Sequence, residues 1–227
     1  MLKKGDKKLI NAWAFYDWAN SVYSLVIGTA VFPLYYSNIT EGATVSFLGT
    51  EWDHPDALYS YALSFSFLVV AFMSPVLSAI ADYTGNKKRF LQIFCWIGSL
   101  SVMSLYFFDG IDTVWIGIVF TVLASIGFWS SIVFYNAYLP EVAHPEDQDK
   151  VSAKGFIFGY IGSIILLIIN LGMILYPELL GITAGAASQI SFVMVGLWWL
   201  GFAQVTFKSL PNNIFHKKPE KDYIWKG

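Results

Sequence analysis

The sequence predicts an all-α membrane protein of six transmembrane helices, and three observations carry that prediction. Of 227 residues, 56% are hydrophobic and 13% charged, with a mean hydropathy of +0.55, far from the balance of a soluble domain. Six apolar runs each reach about 20 residues, the length that crosses roughly 30 Å of hydrocarbon. The cations, finally, all fall on one side of the bilayer that those runs define.

The runs lie near residues 10 to 38, 57 to 81, 90 to 108, 112 to 138, 155 to 176 and 185 to 207. None shows period-two alternation, and in lipid the backbone must satisfy its own hydrogen bonds, so each is a helix rather than a barrel strand. The basic start, MLKKGDKK, precedes an apolar run too long for a signal-peptide core and lacks a small-residue cleavage pattern, so the first run is expected to be retained. With the N-terminus in the cytoplasm, all fourteen Lys and Arg are cytoplasmic: Lys3, Lys4, Lys7, Lys8, Lys87, Lys88, Arg89, Lys150, Lys154, Lys208 and four in the tail. The opposite side has none and carries Glu41, Glu51, Asp53, Asp56, Asp109, Asp112 and Glu178. Both termini are therefore expected inside, with residues 1–207 forming the bundle and 208–227 a cytoplasmic tail.

Other chemistry finds little support. A single cysteine, Cys95, excludes an intrachain disulfide and a thiol pair. His54, His144 and His216 fall in three loops on two sides of the membrane and form no common metal site. There is no phosphate-binding loop, no helix with paired metal-binding histidines and no nucleophile elbow. No enzyme activity, cofactor, metal or nucleic-acid partner is expected.

A few polar groups sit where they are costly. Asp17 lies about seven residues, roughly 10 Å of rise, into the first run, and a short carboxylate cannot snorkel to water. Asn20, Ser21, Ser24 and Gly28 follow at spacings of three, four, seven and eleven, which puts them on the same helical face. The fourth run has Gly127, Ser130 and Ser131, then Tyr135 and Asn136 at roughly the depth of Asp17. Asp17, Asn20, Ser24, Ser131 and Asn136 are the candidates for binding a solute or a coupling ion. An ionisable group within a span is by default such a candidate; the alternative is a structural acid bonded to neighbouring helices or to a trapped water. Gly155, Gly159 and Ser163, spaced by four, read as a face for close helix packing. Trp13, Trp18, Tyr35, Tyr36 and Tyr59 read as interfacial anchors.

After the second run, SAIADYTGNKKRF, Ser78 to Phe90, makes a tight turn with an acid at one end and a basic triplet at the other. It resembles the signature between helices two and three of the major facilitator superfamily. Asp82, Gly85 and Lys87 match, whereas Ser78, Tyr83 and Asn86 depart from it. YDWANSVYSLVIGTAVFPLYY, Tyr16 to Tyr36, FYNAYLPEVA, Phe134 to Ala143, and VSAKGFIFGYIGS, Val151 to Ser163, are similar to one branch of that superfamily, the unknown major facilitator family, bacterial relatives of the fungal autophagy-related vacuolar amino-acid effluxer. The similarity spans nearly the whole chain.

The resemblance implies a secondary active transporter working by alternating access. Its central cavity would be partly lined by helices one and four, with helices two and five facing the other half and Asp82, Gly85 and Lys87 serving as a conformational-switch motif. It further implies two six-helix halves, each an inverted 3+3 repeat, of which this chain matches the N-terminal one. The implied partners are a small solute, amino acids by analogy with the fungal branch, the lipid bilayer, and either a C-terminal half or a second copy. The implied location is a bacterial inner membrane. A half-size homodimeric transporter and a non-transporting scaffold are the alternatives.

Overall fold

The computed structural model describes residues 3–212. Six helical spans follow one another, Lys7–Thr40, Pro55–Thr84, Lys87–Phe107, Ile111–Val142, Pro145–Leu175 and Ala184–Ser209, each long and apolar enough to cross a membrane. Most run a few residues past the apolar stretches that predict them, because local capping carries the helix into its polar flank. Asp6 caps the first, its carboxylate accepting from the Lys8 backbone N–H at 2.7 Å. Thr183 caps the sixth in the same way, its hydroxyl accepting from the Ala186 N–H at 3.1 Å. The second ends at Gly85, whose φ of +68° is left-handed and suits glycine.

The first span is not uniform. An α-helical segment, Lys7–Val22, passes into nine residues of π-helix, Tyr23–Val31, and then into Phe32–Thr40. Wider π turns shift the helical phase, so the polar face that begins at Asp17 does not continue as one stripe to Gly28. The Thr29 hydroxyl donates to Ser24 O, five residues back, at 2.9 Å.

The first span packs against the fifth and sixth, the third against the fourth and sixth, and the second against the fourth. Small residues set the closest approaches. A Cβ placed on Gly127 of the fourth span would lie 2.5 Å from Gly98 Cα and 2.9 Å from Phe94 O of the third. The second and fourth spans are joined by a bond between the Ser66 and Ser125 hydroxyls at 2.7 Å. The second span is the least enclosed of the six and the fifth comes next.

Between the first two spans, strands β1 (Val45–Phe47) and β2 (Thr50–Trp52) form a short antiparallel hairpin, an addition to the all-α expectation. Its tip, Leu48 and Gly49, has φ of +51° and +77°, the twist that two-residue hairpin loops favour.

The aromatic residues correct the expectation of interfacial anchors. Trp13 and Tyr36 are buried in the core. Trp13 stacks on Tyr135 with ring centroids 4.2 Å apart and donates from Nε1 to Tyr135 O at 3.0 Å. Tyr35 and Tyr36 donate to Phe108 O at 2.7 Å and Pro55 O at 3.1 Å, tying the first span to the chain around the third and second. Trp18 stacks on Trp198 and Tyr59 on Tyr36. A ring with one polar atom joins helices as well as it joins a headgroup layer, and composition alone does not separate the two uses. The boundary at residue 207 also shifts: the sixth helix continues to Ser209, and Leu210 and Pro211 accept from Lys88 Nζ and the Tyr138 hydroxyl, both at 3.0 Å. Most of the predicted tail, from residue 213 onward, lies outside the described residues.

Candidate functional site

Asp17 sits on the inner face of the first span, 8% exposed. The Tyr135 hydroxyl of the fourth span donates to its Oδ2 at 2.9 Å. Tyr135 is in turn held by the stacked Trp13 ring, so an aromatic pair from two helices fixes the donor. The remaining wall is the fifth span. A Cβ on Gly155 would come within 2.8 Å of the Tyr135 hydroxyl and closer still to Asp17 Oδ2, and one on Gly159 would lie 2.5 Å from Ser21 Oγ. The glycine face expected to serve packing thus packs against the acid itself, and the absence of side chains there makes room for the carboxylate.

Asn20 is fully buried. Its Oδ1 accepts from Ser21 Oγ at 3.4 Å, while its Nδ2 has no hydrogen-bond partner among the described residues. Asp17, Asn20, Ser21 and Tyr135 therefore form a niche between the first, fourth and fifth spans holding one carboxylate and one unused donor. A buried donor left unpaired carries a desolvation cost, which a solute or a water entering the niche would relieve.

The other candidates make no hydrogen bond to Asp17 or Asn20. Ser24 and Ser131 turn their hydroxyls back to carbonyls of their own helices, Ser21 O at 3.0 Å and Phe128 O at 2.8 Å. Asn136 is exposed and lines a separate cavity of about 410 Å³ between the second and fourth spans, with Phe67, Ala71 and Trp129. Tyr135 and Asn136 are consecutive, so one turn of the fourth span presents a residue to each place.

The turn after the second span brings its three matching residues together. Lys87, 2% exposed, places Nζ 3.0 Å from Asp82 Oδ1 and 3.9 Å from Glu141 Oε1, linking that turn to the end of the fourth span. Gly85 supplies the left-handed residue that lets the chain reverse between Asp82 and Lys87.

Two further features lack a counterpart in the sequence reading. Asn170 of the fifth span is fully buried with neither side-chain atom paired among the described residues; its position seven residues after Ser163 on the small-residue face is the signal that would have found it. The Ser66–Ser125 bond has none, since each serine alone is unremarkable in an apolar helix.

The family model described as vacuole effluxer Atg22 like matches residues 5–227. A protein of Bacillus subtilis (strain 168) named Uncharacterized MFS-type transporter YxiO is 37% identical over 220 residues, covering 96% of this chain and 50% of that protein. An uncharacterized protein of Aquifex aeolicus is 26% identical over 201 residues, 88% of this chain and 45% of its own length. Autophagy-related protein 22 of Gibberella zeae is 38% identical over 88 residues, 38% of this chain and 13% of that protein. The chain spans about half the length of the two bacterial relatives.

Proposed function

Because the chain belongs to the vacuole effluxer Atg22-like family, we propose that it forms the N-terminal six-helix half of a secondary active transporter moving a small solute by alternating access. The observation that carries this is the niche at Asp17, a carboxylate withdrawn from water within a span and held by a donor from another span. Such a group has two competing states, bonded to Tyr135 or protonated and released, and a transporter can couple that choice to solute binding. Asn20 supplies the spare donor, and Asn136 on the adjacent face of the fourth span contacts solute in the cavity beside the second. Amino acids are the solute class by analogy with the fungal branch.

The second and fifth spans, the least enclosed, meet a second six-helix bundle, either further along the same polypeptide or from a second copy. The switch motif, Asp82 with Gly85 and Lys87, stabilises one access state at the edge of that contact. Residues 1–227 expressed alone are expected to insert but transport nothing, and co-expression with a matching C-terminal half restores solute flux in the same vesicles. Transport by the purified 227-residue chain with a defined dimer mass replaces this reading with the homodimeric one.

The complete separation of cations from the other side supports cytoplasmic termini, in a bacterial inner membrane given the bacterial relatives. Cysteines introduced at Glu51 and Asp112 should react with an impermeant thiol reagent from outside, and one at Lys150 only after permeabilisation, whereas Lys87, 2% exposed, is too enclosed to report; Lys217, expected to behave like Lys150, lies outside the described residues. Outside labelling at Lys150 would overturn the orientation.

A further inference from the structure

The hairpin joins the second and fourth spans in lining an open-sided cavity of about 470 Å³, within the usual range for a ligand site, about 300 to 1,000 Å³. Phe47, Leu48 and Trp52 line it from the hairpin, and Leu58 and Phe65 from the second span. Val119 and Val122 line it from the fourth. Just beyond the deepest lining residues, the Ser66–Ser125 bond draws the helices together. Ser66 and Ser125 each lie eleven residues past the first residue of their α-helices, Pro55 and Val114, a rise of about 16 Å. Half of a hydrocarbon core is about 15 Å. The helix residues that line the cavity, Leu58 to Phe65 and Ile118 to Leu123, all precede these serines, so the cavity lies along the opening turns of two membrane spans, within a distance comparable to one leaflet.

The mouth is polar in one sense only. Trp52 Nε1 is buried with no hydrogen-bond partner among the described residues. Glu51 and Asp53, its neighbours in the chain, and Asp56 are exposed outside the cavity lining, and no Lys or Arg occurs among the described residues of the loops on this side. Leu48 is 90% exposed at φ +51°, a backbone conformation that glycine or asparagine adopts more readily. A leucine at that turn presents an exposed apolar side chain at the edge of the cavity.

We infer that this cavity holds one acyl chain of a phospholipid with an amine headgroup, taken from the leaflet on the hairpin side. An ester or phosphate oxygen accepts from Trp52 Nε1, and the ammonium lies among Glu51, Asp53 and Asp56. The depth selects a single leaflet's chain, and the acids favour a headgroup carrying a cation over an anionic one. This inference does not rest on the transport reading.

Native mass spectrometry of the full chain in mild detergent, after incubation with phosphatidylethanolamine or phosphatidylglycerol, tests it. One phosphatidylethanolamine should be retained per chain in preference to phosphatidylglycerol. Trp52→Phe should weaken retention roughly 2- to 10-fold by removing one hydrogen bond. Val119→Trp, at a position 37% exposed and so tolerant of bulk, should abolish it by filling the cavity. Phe156→Trp, on the exposed face of the fifth span, should leave it unchanged. Retention by Val119→Trp equal to the parent, or a preference for phosphatidylglycerol, overturns the inference, and a dimer mass without lipid reassigns the cavity to a second copy.

Discussion

Gly127→Ala is expected to destabilise the folded chain strongly, lowering its thermal midpoint by more than any other glycine-to-alanine change on the third and fourth spans. The new methyl would enter the backbone of the third span, 2.5 Å from Gly98 Cα, where no rotamer change can relieve it and the helices must move apart. Overpacking of a core commonly costs about 1–3 kcal/mol, and a clash with backbone belongs at the upper end. The Trp199 ring of the sixth span already packs on Gly98, where an added Cβ would come within 2.6 Å of it, so a shift of the third span also disturbs that contact. The measurement is the thermal midpoint and monodisperse fraction in detergent, with Gly201→Ala as reference. That position has nothing within 4 Å of an added Cβ, and alanine there removes a glycine from a helix, a gain of up to about 1 kcal/mol. Equal losses at both positions would mean that the close approach of the third and fourth spans is not what holds them.

If the proposed transport reading holds and the coupling ion is a proton, Asp17→Asn should abolish uphill accumulation of solute while leaving the protein folded. The amide keeps the shape of the carboxyl and can still accept from Tyr135 through its oxygen, so the niche survives, but it cannot take up or release a proton. Solute equilibration down its own gradient should persist, and uphill transport should fall to background. Uphill transport at the parent rate, at normal expression, would identify Asp17 as a structural acid. Tyr135→Phe separates holding from titrating: it removes the donor at 2.9 Å and keeps the ring that stacks on Trp13, so it should alter coupling while leaving the acid able to titrate.

The sequence carries the spans because hydrocarbon thickness imposes a length that local composition must meet, and six runs announce themselves one by one. Asp17 was legible for the same reason, since a charge in such a run stands out against its neighbours. Its partners were harder to read. Tyr135 and Asn136 are both polar enough to propose at that depth, and only the rotation of the fourth span assigns the first to the acid and the second to another cavity. Ser24 spends its hydroxyl on Ser21 O, and the π-helix that begins at Tyr23 turns the rest of the stripe out of phase, a change that no residue type signals. The anchoring aromatics turned inward because a tryptophan needs one acceptor, and Tyr135 O serves as well as a lipid headgroup.

The bond between Asp17 and Tyr135 joins positions 118 residues apart, and that separation has a meaning in time. At a synthesis rate of about 5–20 residues per second, Asp17 is made roughly 6 to 24 s before the donor for its carboxylate. The Thr206 hydroxyl that holds Ala12 O arrives later still, with the final helix. During that interval the acid must keep company with water or with the insertion machinery, and the first helix is committed to the bilayer before anything in its own chain can hold it there.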